Sequence, residues 1–171
     1  MSFVEELAAA EIGATFNFYR EGPRACLLKG RLEDYLAARE HACFLLVGEA
    51  PGYRGARVSG LPFTSERQLT GAGPAEATAT IVRRVLCALG IEEQTLCWNV
   101  VPTHPGTASA NRRPTVTEID GGRRFLQRVA EVRRVIAVGR VAEAATGAPY
   151  VRHPSHGGAV AFHENLQTCL S

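Results

Sequence analysis

Glu49, Phe63, Asn99 and His153 are of types that could together hold a flat polar heterocycle. Glu49 follows the apolar run Phe44-Leu45-Leu46-Val47-Gly48 and precedes Ala50-Pro51-Gly52. Asn99 ends the run Leu96-Cys97-Trp98, Phe63 lies in the long loop between, and His153 opens His153-Pro154-Ser155-His156-Gly157-Gly158. An aromatic ring stacks on a base. A side-chain amide reads an acceptor–donor edge, and an imidazole reaches a carbonyl oxygen. A carboxylate opposes positive charge that develops nearby. Each residue also has a plainer reading: a solvated Glu in a strand-to-loop turn, an Asn bonding a loop, a core Phe, a His in a turn before Pro. His104 and His156 also fall near strand ends, whereas His41 and His163 fall in predicted helices and read as bystanders.

The elements that must position these groups follow from apolar spacing. Ser2-Phe3-Val4-Glu5 has the form of a capping box and predicts a helix ending near Gly13. Residues 17–29 read as irregular, with Gly22-Pro23 as a break, and Leu32 to His41 as a helix. Cys43 to Val47 is an apolar run suited to a strand buried on both faces. Residues 48–74 form a long Gly- and Pro-rich loop, and loops of that length are functional or disordered. Pro74 to Leu89 predicts a helix with Ile81, Val85 and Leu89 inward, stopped by Gly90. Leu96 to Val101 is a second strand, followed by a loop to Pro114 and a helix over 118–134. Val135 to Gly139 is a third strand, 141–146 a short helix, Tyr150-Val151 a fourth strand, and 159–166 a last helix. Alternating strands and helices imply an α/β fold, three layers deep, with a mainly parallel sheet of about four strands in one domain over residues 1–171. Parallel strands end on one edge, so Glu49, Phe63, Asn99 and His153 are expected to converge there.

Composition sets the class. The chain has 171 residues, 46% apolar and 21% charged, within the range of globular proteins. No apolar run is long enough to span a membrane, and the acidic start (Glu5, Glu6, Glu11) does not resemble a signal peptide, so a cytoplasmic location is expected. The net charge is only +2, with one lysine (Lys29) and every other basic residue an arginine. Arginine suits phosphate contacts, although a GC-rich genome gives the same skew. The five cysteines contain no C-x-x-C; Cys43, Cys87 and Cys97 read as small buried hydrophobes, and no metal or other cofactor is expected. Neither G-x-x-x-x-G-K-[ST] nor G-x-G-x-x-G occurs.

Gly48-Glu49-Ala50-Pro51-Gly52 with Arg57-x-x-Gly60-x-Pro62-Phe63 resembles the first motif of the uracil-DNA glycosylase superfamily. Asn99-Val100-Val101 with Asn111-Arg112-Arg113-Pro114 and Glu118 is similar to its middle section, and His153-Pro154-Ser155 to its second motif. Order and spacing agree over about residues 43–158. The first motif is closest to the branch called family four. The resemblance implies a monofunctional hydrolase that flips uracil out of DNA and cuts its glycosidic bond, working as a monomer. By carry-over, Phe63 stacks on uracil, Asn99 pairs with N3 and O4, and His153 lies near O2. Glu49 lies near the sugar, and Gly48 lets the backbone approach the base. Ser155 contacts a phosphate; His156 is the only candidate wedge; Arg57 and Arg112 are placed with DNA. The chain departs from family four at its iron–sulfur cysteines, since Thr103-His104 and Gly121-Gly122 stand where the later two are expected. Ala50 stands where other branches carry a water-activating Asp or Asn. Gly52 stands where some relatives have a ring that excludes thymine's methyl, a task that falls to another residue such as Tyr53. Two other functions share these residues: a superfamily member that binds a nucleobase or DNA without cutting, and a glycosylase for a deaminated purine such as hypoxanthine.

Overall fold

A computed structural model describes residues 1–170. Its sheet has the strands β1 (Phe44–Gly48), β2 (Thr95–Asn99), β3 (Arg134–Val138) and β4 (Tyr150–Val151) in the order β2-β1-β3-β4. Every neighbouring pair is parallel. The helices are α1 (Phe3–Ala9), α2 (Ala25–Ala38), α3 (Ala56–Ser59), α4 (Glu66–Thr70), α5 (Ala77–Ala88), α6 (Val116–Ala130), α7 (Arg140–Thr146) and α8 (Ala159–Leu170).

Alternation along the strands splits the core in two, as the period-two rule requires. Leu45, Val47, Leu96, Trp98 and Ala137 join residues of α1, α2, α6 and α7 in one cluster. Leu46, Cys97, Ile136, Val138 and Val151 join residues of α5 and α8 in the other. The result is the expected three-layer α/β/α arrangement.

The chain leaves β1 toward β2, then crosses back to β3 and on to β4. The connections therefore diverge between β1 and β3. Open parallel sheets bind ligands at such a switch point, beyond the strands' carboxyl ends.

Several boundaries differ from the sequence reading. α2 starts at Ala25, not Leu32, because the Gly22-Pro23 break lies before the helix instead of inside an irregular stretch. His41 falls in the turn after α2. The 48–74 segment is not all loop: it contains α3 and α4, each ended by a left-handed glycine, Gly60 and Gly71. The buried stripe of α5 is Ala79, Val82, Val85 and Leu86; Val85 is among the residues expected inward, and the other two, Ile81 and Leu89, pack at its partly buried edge. Cys97 is buried, but Cys43 and Cys87 are exposed; apolar neighbours do not reveal which way a side chain faces.

Candidate active site

Gly48 is the floor. It pairs in register with Asn99 across β1 and β2. A Cβ on Gly48 would lie 2.5 Å from Phe63 Cζ and 2.9 Å from Asn99 Oδ1, so only glycine lets the ring and the amide meet over the strand end. Asn99 is 5% exposed, yet its side-chain amide has no hydrogen-bond partner among the described residues. That amide lines the cavity, where water or a ligand is left to satisfy it.

Phe63 has φ of +50°, unusual for a non-glycine residue. Such backbones persist only where surroundings enforce them. Here the brace is Ser59, whose Oγ donates to the Thr64 carbonyl (2.7 Å) and accepts from the Leu61 N–H (3.1 Å). Tyr19 Oη donates to the Gly60 carbonyl at 2.7 Å. Arg31 donates to the Ser59 carbonyl and, with Arg24, to the buried Glu66 of α4. The arginines, Arg31 foremost, hold the Glu66 carboxyl below its ordinary range.

His153 follows β4. The Ser155 backbone N–H donates to its Nδ1 at 3.2 Å, and Ser155 Oγ lies 2.8 Å from the same nitrogen. Nδ1 is therefore an acceptor, which places the ring proton on Nε2. Burial, then the nearby His156, lowers the pKa of His153 below 6.5. At neutral pH the group is a neutral imidazole with Nε2–H free to donate. Ser155, assigned from sequence to a DNA phosphate, lines the cavity and also orients the histidine. His156 is exposed, with φ of +51°, on the rim.

Glu49 and Glu76 are the two carboxyls of the cavity. Burial raises both, and Arg113 partly offsets the effect at Glu49. Neither has a hydrogen bond or ion pair among the described residues. The cavity encloses about 470 Å³, within the range of small-ligand sites. It is lined by Glu49, Phe63, Asn99, His153, Ser155 and His156, as sequence grouped them, and also by Glu76, Asn111 and Arg140. Val138 and Gly139 complete it from β3, so all four strand ends contribute.

Two arginines placed with DNA have partners inside the protein. Arg57 does not line the cavity: its guanidinium packs 4.9 Å from the Phe16 ring centre. Arg112 lies at the cavity edge but is held by Glu118 through both terminal nitrogens (2.8 and 2.6 Å). Tyr53 is likewise not a lining residue; its backbone N–H donates to Asn111 Oδ1 at 2.8 Å. The wall beside Gly52 is made by Glu76 instead. No motif marks Glu76, which precedes α5 and reaches the cavity only through tertiary packing.

The residues at the positions of the family-four cluster ligands do not fit a cluster. Thr103 and His104 are fully buried. Thr103 Oγ1 bonds Thr15 Oγ1 at 2.5 Å. His104 places Nδ1 2.7 Å from the Pro51 carbonyl and Nε2 2.8 Å from the Thr107 carbonyl, tying two loops together. Among the described residues no group of three or more His, Cys, Asp or Glu is arranged for a metal, and no helix is long and apolar enough to cross a membrane.

A parallel α/β/α sandwich thus carries an aromatic ring, an unpartnered amide, a neutral imidazole and a carboxyl together at its strand ends, a set suited to a base-handling hydrolase. A family model described as the uracil DNA glycosylase superfamily matches residues 37–166, and the chain belongs to that superfamily. The chain is also similar to a solved structure, wild-type SMUG2 of Pedobacter heparinus. Identity is 13%, the TM-score is 0.66, and the match covers 99% of this chain and 96% of that one. That likeness concerns the fold. No curated protein matches.

Proposed function

We propose that this protein excises uracil from DNA by hydrolysis after the nucleotide is flipped into the cavity. The observation that carries this is Asn99: an unpartnered amide of a mostly buried residue, open to the cavity beside a ring over a bare glycine. Flipping costs a few kcal/mol, which contacts inside the pocket must offset. Phe63 stacks on the base. Asn99 accepts from N3–H through Oδ1 and donates to O4. Cytosine would set an amine against the amide's own N–H, and sites of this kind reject such analogues by about 10⁴.

The bond between N1 and the sugar C1′ breaks with its electron pair leaving on the base. Negative charge then accumulates at O2, where His153 Nε2–H donates. A neutral donor of this sort contributes about 3 kcal/mol. Positive charge grows on the sugar, where the Glu49 carboxylate opposes it, and water adds its oxygen at C1′ while the proton it releases neutralises the departing uracil anion. Ala50 carries no group to activate that water, so Glu49 is the acid that places it. Ser155 keeps His153 in its donor tautomer, and His156 stands at the rim where the displaced base leaves a gap.

The test is incubation with single- and double-stranded uracil oligonucleotides followed by hot alkali. Strand breaks at uracil are the expected outcome. Retention in a gel without breaks would instead identify a binding protein that does not cut. Asn99→Ala should lose at least about a hundredfold in excision, the scale set by reading through paired hydrogen bonds, while keeping its unfolding temperature. His153→Ala should lose turnover with DNA affinity intact. Wild-type rates in the asparagine variant would end this reading.

A further inference from the structure

Phe63 stands between two cavities. It lines the one that holds Glu49, Asn99 and His153. It also lines a second, of about 280 Å³, bounded by Cys97 of β2, Leu69 of α4, and Val82 and Leu86 of α5. It is the only described residue that lines both. A side chain with space on one side lacks packing contacts there. Phe63 is indeed only partly buried, at the margin of the core cluster built from α5 and α8. Packing alone therefore does not fix which way the ring leans.

The backbone supplies what packing does not. Gly60 and Phe63 are both left-handed, with φ of +83° and +50°. A phenylalanine leaves that region unless its surroundings hold it. Ser59 is fully buried, and its hydroxyl reaches both sides of Phe63. It accepts from the Leu61 N–H at 3.1 Å and donates to the Thr64 carbonyl at 2.7 Å. The Ser59 carbonyl is itself held by Arg31 at 3.1 Å. One hydroxyl thus closes the turn that carries the stacking ring.

We propose that Ser59 is a positioning residue: it sets the Phe63 ring against the base site and keeps it out of the second cavity. The inference rests on the base-excision reading and names the step at which Ser59 acts. A ring already in place has less freedom to lose when a base arrives. Stacking is made with the bound base as well as in the transition state, so its loss falls on KM more than on kcat.

The experiment compares wild type, Ser59→Ala, and Ser59→Ala combined with Leu69→Phe. Leu69 lines the second cavity and is 41% exposed, so a larger ring there fills space without crowding the core. Excision kinetics on a single-stranded uracil oligonucleotide are read beside the fluorine NMR signal of protein carrying fluorophenylalanine at position 63 alone. Ser59→Ala should raise KM about tenfold, within the range of one base–aromatic stack, and change kcat by less than about twofold. Its fluorine signal should shift or split as the ring enters the second cavity. The double variant should restore the signal and most of KM. An unmoved signal in Ser59→Ala, a loss confined to kcat, or a folded double variant no better than the single one overturns the proposal. Unfolding temperatures establish which variants are folded. Should Ser59→Ala not fold, Arg31→Met takes its place: it frees the Ser59 carbonyl and should move signal and KM in the same direction, and no movement overturns the proposal. If wild type cuts no uracil, the excision reading fails by itself, and the fluorine signal still decides what Ser59 does to the ring.

Discussion

Glu49 sits where ionisation is costly. Burial raises its pKa above 4.5 and Arg113 returns only part of the shift. If the carboxylate is the working form, excision should rise with pH through a limb displaced above 4.5, and Glu49→Gln should flatten that limb along with a large loss of rate. Stability should move the other way. A carboxyl raised in the folded state favours folding below its unfolded value near 4.5, and that contribution is lost as pH rises through the folded value. At neutral pH the ionised group is a net cost. Glu49→Gln should therefore unfold at a higher temperature than wild type at pH 7.5, with the gap closing toward pH 4, as calorimetry at both values would read. His153 needs the opposite state: its lowered pKa keeps it neutral, so its own titration lies at lower pH than that of a free imidazole.

The loop over residues 103–114 and the start of α6 are fastened by one ion pair. Glu118 completes a capping box with Thr115 and accepts from both terminal nitrogens of Arg112. Its side chain is 1% exposed and that of Arg112 is 40% exposed. Arg112, foremost, lowers the Glu118 pKa to about 2. This stabilisation is present above the unfolded value of 4.5 and is lost as pH falls through about 2. Arg112→Ala should destabilise by about 2 kcal/mol, less than the ~3–5 kcal/mol for a fully buried pair because the arginine is partly solvated. Urea unfolding at pH 7 checks it, and double mutation with Glu118→Gln should recover part of the loss. DNA affinity should fall less than stability, since the guanidinium is already engaged.

For the molecule as a whole, what was legible in sequence was the strand ends. An apolar run stopped by Gly or Pro marks where a parallel strand meets a loop, and that sufficed to group Glu49, Asn99 and His153. The pairing of Gly48 with Asn99 then places an amide over a bare α-carbon, which no local pattern states. Glu76 escaped notice because a lone Glu before a helix looks like any solvated one. That Arg57 packs on Phe16 and Arg112 pairs with Glu118 was not legible either, because an arginine on a motif reads only as a phosphate contact until its neighbours are known. His104 likewise shows its bracing function only once Pro51 and Thr107 are found beside it.

The crossing back from β2 to β3 has a thermodynamic corollary. A base held as proposed would touch the ends of strands that are far apart in the chain and act as a keystone. Binding of free product should slow amide exchange across the central strands as well as in the loops around it. It should raise the unfolding temperature with concentration as RT ln(1 + [L]/Kd) prescribes. Protection confined to residues 150–158 would mean that the base leans on one wall alone.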